Sequence, residues 1–265
     1  MDYFVVDVFT EKLFKGNPAG VCMLDKWIDD EKLQNIAFEN NLSETAYLVK
    51  QNNYYDLRWF TPTIEVELCG HATIASAFVL LNFYEKDAKE ISFKTMSGMV
   101  KVTKKDDMYY LDFPARKAQK TADYKTFDES FSCKNNGVYK AADFLILFDN
   151  ETQIKNITPD FSILRKIKEE ACLEDDGFGT IITAKGDKCD FVSRFFAPNG
   201  GIDEDPVTGR AHCTLIPYWA EKLGKTKMKA FQLSKRTGEI DCEYLGDRVL
   251  IGAKAVLYLK GNILL

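Results

Sequence analysis

Only two histidines occur in the 265 residues, and each lies just after a glycine that opens a run of small and apolar residues. In "ELCGHATIASA" His71 directly follows Gly70, and in "DEDPVTGRAHCTL" His212 comes three residues after Gly209. A helix beginning at such a glycine exposes up to four unpaired backbone N–H groups and a partial positive charge. Glycine lets a ligand approach that backbone closely, so a carboxylate or a developing oxyanion suits the place. His71, with an ordinary pKa of about 6.5, could donate to such an anion or relay a proton. Glu44, in "NNLSETAYL", could take a proton from carbon if partial burial among Leu42, Ala46 and Tyr47 disfavours its charge. Asp205 could hold an amino or hydroxyl group. A base, a way back for the proton and a site for the anion are what proton transfer at carbon requires.

Each of these residues also has a plainer reading. Glu44 follows Ser43 and could cap a helix or face solvent, His71 could be an ordinary helix-start residue, and Asp205 could shape the turn before Pro206. His212 reads as structural, because it lies a turn beyond its glycine.

Positioning these groups requires a scaffold, and the chain reads as one unit written twice. "RWFTP" (Arg58 to Pro62) answers "RFFAP" (Arg194 to Pro198), Gly70 answers Gly209, and the turn at Gly98 answers the turn at Gly238. Matching features are separated by a nearly constant offset of about 140 residues. Short aromatic and β-branched segments such as "YFVVDVF", "YYDLRWF", "ISFKTM" and "YYLDF" read as strands. "HATIASAFVLLNFY" (71–84) is apolar on every side and reads as a helix buried all round, whereas Asp29 to Asn40 reads as an amphipathic surface helix. The expected fold class is α+β, with two pseudo-symmetric domains at 1–116 and 117–255. Each is a mixed β-sheet wrapped around a buried central helix, and 256–265 forms a C-terminal strand able to return to the first domain. If the copies pack about a pseudo-twofold, both helix mouths face one cleft. Pro217 falls inside the second helix, where it removes a hydrogen bond.

With 46% hydrophobic residues the chain can bury a substantial core. A net charge of -5 with interspersed signs gives no reason to expect nucleic acid or an anionic membrane as partner. No apolar stretch reaches the ~18 residues that span a bilayer, and no basic segment precedes an apolar one at the N-terminus, which leads us to expect the cytoplasm. The seven cysteines are odd in number and scattered, so neither a disulfide framework nor a zinc site is expected.

"DVFTEKLFKGNPAGVCML", "NNLSETAYL", "RWFTPTIEVELCGHATIASA" and "DEDPVTGRAHCTLIPYWAEKLGK" together resemble the phenazine-biosynthesis isomerase-like (PhzF-like) family, of the diaminopimelate epimerase fold, along essentially the whole chain. The resemblance implies cofactor-independent proton transfer in a small carboxylated metabolite. It implies a proton-moving glutamate at Glu44, with His71 and Asp205 holding substrate and assisting, and Asn17 of the "GNP" motif at the cleft. Gly70, Gly209 and Arg210 would contact substrate, and a homodimer is implied on the same ground. Two departures stand out. The isomerase has a serine where this chain has Arg210, a long cation that would shrink the cleft or bind an acidic group. Racemases of the fold use one cysteine from each domain, and here Cys69 stands immediately before Gly70, but "DPVTG" offers Val207 and Thr208 in place of a partner thiol. An amino-acid racemase or epimerase, and a non-catalytic scaffold binding a small acid or a protein, stay open as alternatives.

Overall fold

The computed structural model describes residues 1–174 and 178–265, and these form two compact units. The first comprises Met1–Asp112 and Leu250–Leu265; the second comprises Phe113–Val249.

In the first unit β1 (Asp2–Val8) and β2 (Asn17–Leu24) pair antiparallel across a loop. Helix α1 (Asp30–Asn40) follows, burying Leu33, Ile36 and Ala37 against Cys22, Tyr47 and Phe60. Strand β3 (Glu44–Lys50) runs parallel to β2 and antiparallel to β4 (Tyr55–Phe60), which the short β5 (Glu65–Val66) then lines. Helix α2 (Gly70–Val79) exposes almost nothing, since every residue from His71 to Val79 except Phe78 is buried. Its two small hydroxyls turn back on their own helix, Thr73 to Cys69 O at 2.5 Å and Ser76 to Ala72 O at 2.7 Å, so no polar atom of theirs is left unpaired in the core. The helix expected over 71–84 ends in a wider turn at Leu80–Tyr84, where Glu85 N–H reaches Leu80 O at 2.7 Å in a five-residue step. Strands β6 (Glu90–Thr95), β7 (Gly98–Lys105) and β8 (Met108–Pro114) complete the run.

The second unit repeats this order. After β9 (Gln119–Lys120) and α3 (Lys125–Phe131), β10 (Val138–Lys140) pairs antiparallel with β11 (Phe144–Leu147). The helices α4 (Glu151–Asn156), α5 (Phe161–Leu164) and α6 (Ile167–Glu170) stand where α1 stands in the first unit. Strand β12 (Thr180–Lys185) is parallel to β11 and antiparallel to β13 (Phe191–Ala197), as β3 is to β2 and β4. Then come β14 (Ile202–Asp205), α7 (Gly209–Leu223), β15 (Lys227–Gln232), β16 (Gly238–Tyr244) and β17 (Arg248–Ala253). The last strand, β18 (Ala255–Asn262), pairs antiparallel with β1. Its counterpart β9 pairs antiparallel with β10.

The repeat extends to side chains. Arg58 grips Glu65 with two bonds of 2.7 Å and lies 5.1 Å over the Phe60 ring. Arg194 grips Glu204 at 2.7 and 3.0 Å and lies 5.0 Å over Phe196. In both cases a forked, half-buried ion pair fastens the short strand that leads into the central helix.

Pro217 sits inside α7 without leaving a carbonyl orphaned. A proline at this position cannot donate to Cys213 O, and the Arg116 backbone N–H takes that acceptor instead at 2.9 Å. Among the described residues no helix is long and apolar enough to cross a membrane.

Candidate active site

Asn17, Glu44, Cys69 and His71 meet in the first unit. Asn17 enters β2 from a turn that only glycine permits: Gly16 has φ +64°, and a Cβ there would lie 1.9 Å from Val8 O. Asp7 closes the same loop by accepting the Phe14 N–H at 2.8 Å. Asn17 is fully buried, its Nδ2 3.4 Å from His71 Nδ1 and its Oδ1 accepting from Ser43 Oγ at 3.4 Å. With the amide donating to Nδ1, the ring hydrogen of a neutral His71 lies on Nε2.

Glu44 opens β3, directly after α1 has ended at Asn41 in a left-handed turn. Alternation along a strand would send Glu44 to one face and Thr45 to the other, and Thr45 is buried while Glu44 keeps 14% of its side chain exposed. Its Oε2 stands 3.2 Å from His71 Nε2. The two atoms are in ion-pair range but do not line up as a hydrogen bond, and neither has another hydrogen-bond partner. They are thus two buried polar atoms side by side, with bonding capacity still unused.

Burial acts against a charged His71, yet its pKa lies well above the ordinary value, because Cys69 and Glu44 present negative charge and acceptors to the ring. Burial, reinforced by the charge of Glu44, pushes the Cys69 thiol up. Glu44, Cys69 and His71 offer donor atoms all within 4.8 Å of one another, a set that could be taken for metal ligands. The imidazole separates them, however: Cys69 Sγ lies 3.5 Å from Nδ1 while Glu44 lies at Nε2, on the opposite edge.

In the second unit Asp205 ends β14 and accepts the Thr208 hydroxyl in a very short bond, so it shapes the turn before α7 as well as presenting a carboxylate. Buried Gln232 of β15 secures this turn, its Oε1 accepting the Thr208 N–H at 2.9 Å and its Nε2 donating to Asp205 O at 2.9 Å. Neither Cys69 before α2 nor Thr208 before α7 caps its helix with a side chain, which leaves the first-turn amides at Gly70 and Gly209 to other acceptors. His212 is fully buried, its Nδ1 2.8 Å from the Thr208 carbonyl, and burial lowers its pKa to about 4. A neutral ring donating to its own helix fits the structural reading. Arg210 reaches Asp143, a residue that no spacing or motif singled out.

Two pseudo-symmetric units, each a mixed sheet about a buried helix with an acid–histidine pair at the mouth of the first, define a protein of the diaminopimelate epimerase-like fold. A probable proline racemase from Agrobacterium radiobacter shares that fold, with a TM-score of 0.60 at 11% identity, covering 100% of this chain and 93% of the other. The family model for phenazine biosynthesis-like proteins (PhzC-PhzF) matches residues 6–261. The chain is 45% identical over 260 residues to an uncharacterized isomerase of Pseudomonas aeruginosa, covering 98% of this chain and 97% of that one. A PhzF-family phenazine biosynthesis protein of Enterococcus faecalis superposes with a TM-score of 0.94 at 45% identity, covering 100% of this chain and 99% of its own. The chain belongs to the phenazine biosynthesis-like (PhzF) family, whose curated relatives include isomerases.

Proposed function

We propose that the protein is a cofactor-independent isomerase that moves a proton, and with it a double bond, in a small carboxylate-bearing metabolite. The observation that carries this reading is the buried pair of Glu44 Oε2 and His71 Nε2, 3.2 Å apart and neither engaged in a hydrogen bond. Glu44 takes a proton from the carbon next to the carboxylate. The electron pair moves into the conjugated system, and His71, oriented by Asn17, donates to the anion or returns the proton at the far carbon. Amides at the mouth of α2, opened by Gly70, take the carboxylate.

Cys69, 3.5 Å from His71 Nδ1, is the one feature that favours a thiol-dependent racemase instead. Its pKa is raised by burial and by Glu44, which opposes that role. Incubation with candidate carboxylic acids in deuterated water, following label at carbon, separates the two. Exchange lost in Glu44→Gln supports the isomerase. Exchange that survives Glu44→Gln but disappears in Cys69→Ala moves the assignment to the racemase, and binding without exchange moves it to a scaffold.

A further inference from the structure

Among the described residues of the first unit, the buried side-chain nitrogens and oxygens without a hydrogen-bond partner are Glu44 Oε2, His71 Nε2 and Trp59 Nε1. The first two are the acid and the histidine of the site. The third belongs to a side chain only 1% exposed, and an indole nitrogen can only donate, so its hydrogen is stranded away from water.

The strand register sets Trp59 beside the pair. Trp59 of β4 stands opposite Ala46 of β3, and Ala46 shares its face of the strand with Glu44, two residues earlier. Residues so related lie diagonal to each other across an antiparallel pair, within reach of an aromatic side chain. The second unit shows what a ring at this place touches. There Phe195 stands opposite Ile181 as Trp59 stands opposite Ala46, and Phe196 pairs with Thr180 as Phe60 pairs with Thr45. Gly179 then answers Glu44, and Arg210, one residue past Gly209, answers His71. A Cβ on Gly179 would lie 2.1 Å from Phe195 Cζ, and the Arg210 guanidinium carbon lies 5.8 Å from the centre of the Phe195 ring. A ring at this position therefore lies against the places that Glu44 and His71 hold in the first unit. The repeats differ at all three places together, with acid, indole and histidine in one and glycine, phenylalanine and arginine in the other. The indole N–H is present in the copy that carries the acid and the histidine.

We propose that the Trp59 indole N–H is the third functional group of the site and donates to a carboxylate oxygen of the substrate. As Glu44 takes the proton from the neighbouring carbon, the C–H electron pair spreads onto that carboxylate, and a donor already in place stabilises the charge. The indole keeps its own proton throughout. The proposal rests on the proton-transfer reading and adds the residue that meets the developing charge.

Trp59→Phe removes the N–H and keeps a ring, and Phe195 shows that the fold holds a phenylalanine at the corresponding place. Deuterium exchange at carbon is expected to slow about 10²-fold in kcat, the scale of one lost donor to a developing oxyanion, with no fall in Tm, because no protein hydrogen bond is lost. A merely structural indole would move Tm and leave kcat alone. A second measurement needs no variant: isotope-labelled full-length protein is titrated with butyrate, and the indole N–H signals of Trp27, Trp59 and Trp219 are followed by NMR. The Trp59 signal is expected to move downfield together with the His71 ring, while that of Trp219, tied to Thr183 Oγ1 at 3.0 Å, stays in place. A Trp59 indole that does not move at millimolar butyrate, or exchange undiminished in a folded Trp59→Phe, would overturn the proposal. Glu44→Gln is expected to keep the Trp59 shift, so exchange that survives Glu44→Gln counts against the proton-transfer reading, whereas an unmoved indole counts against this one.

Discussion

Glu44→Gln tests the site most directly, because the substitution keeps the size of the side chain and removes only its charge and basicity. A positioned general base contributes about 10²–10⁴-fold to a proton transfer. The upper part of that range applies here. With 14% of the side chain exposed, water or buffer has little access to replace the lost carboxylate. A loss of about 10³–10⁴ corresponds to about 4–5 kcal/mol of barrier. The same substitution acts on His71, whose pKa Cys69 and Glu44 together raise against the opposing effect of burial. Without the carboxylate one of the two groups that raise the His71 pKa is lost, so that pKa should fall. Two assays read the two effects: deuterium incorporation into carboxylic acids by mass spectrometry, and the pH titration of the His71 ring by NMR. Exchange within tenfold of the unaltered protein, or a His71 titration that does not move, would refute the reasoning that couples the two groups.

Three further outcomes are expected. His212 is neutral in the fold, with a pKa near 4 against about 6.5 when unfolded, so the unfolded chain binds the extra proton as pH falls. Stability should therefore be full above about pH 6.5 and decline by about 3 kcal/mol toward pH 4; urea unfolding across this range should show the decline, and His212→Gln should flatten it. Gly16→Ala would force a Cβ to within 1.9 Å of Val8 O at a positive φ, so it should cost more than about 1 kcal/mol in denaturant unfolding and lower exchange by displacing Asn17. Gln232→Leu strips the partners from Thr208 N–H and Asp205 O; a loss of about 1–3 kcal/mol for a buried unpaired group, together with weaker acid binding by calorimetry, is expected.

The duplication was readable because its marks are local: "RWFTP" and "RFFAP" each place an arginine two residues before the phenylalanine that it covers. The two buried helices were readable for a similar reason, since an apolar run of that length with small residues has no other comfortable conformation. What escaped was contributed from a distance. Strands β2 and β3 pair in parallel, a contact between segments that α1 separates, and nothing in "GNPAGVCML" alone marks it as a strand. Glu65 and Glu204, the acids that clamp the short strands, lie at unequal distances from their arginines, so the repeat offset hides them. Asp143, just ahead of β11, and Gln232 of β15 support the second helix mouth, and no spacing ties an isolated acid or amide to a target 67 or 24 residues away. Pro217, read as a disruption, is accommodated by the backbone of Arg116.

The terminal strands reveal a consequence of the connectivity. Strand β9 follows the last strand of the first repeat but pairs in the second unit with β10, and β18 follows the last strand of the second repeat but pairs in the first with β1. A chain made of one repeat alone would leave its opening strand with an unpaired edge and carry a tail strand with no partner of its own. Two such chains could satisfy each other by trading tails, the geometry of a reciprocal exchange dimer. The two ends of the present chain still meet, the Met1 amino group donating to Ile263 O at 2.9 Å. Linking those ends and reopening the chain between β9 and α3, in residues 121–124, would preserve the strand pairings described above, so a circular permutant opened there is expected to fold.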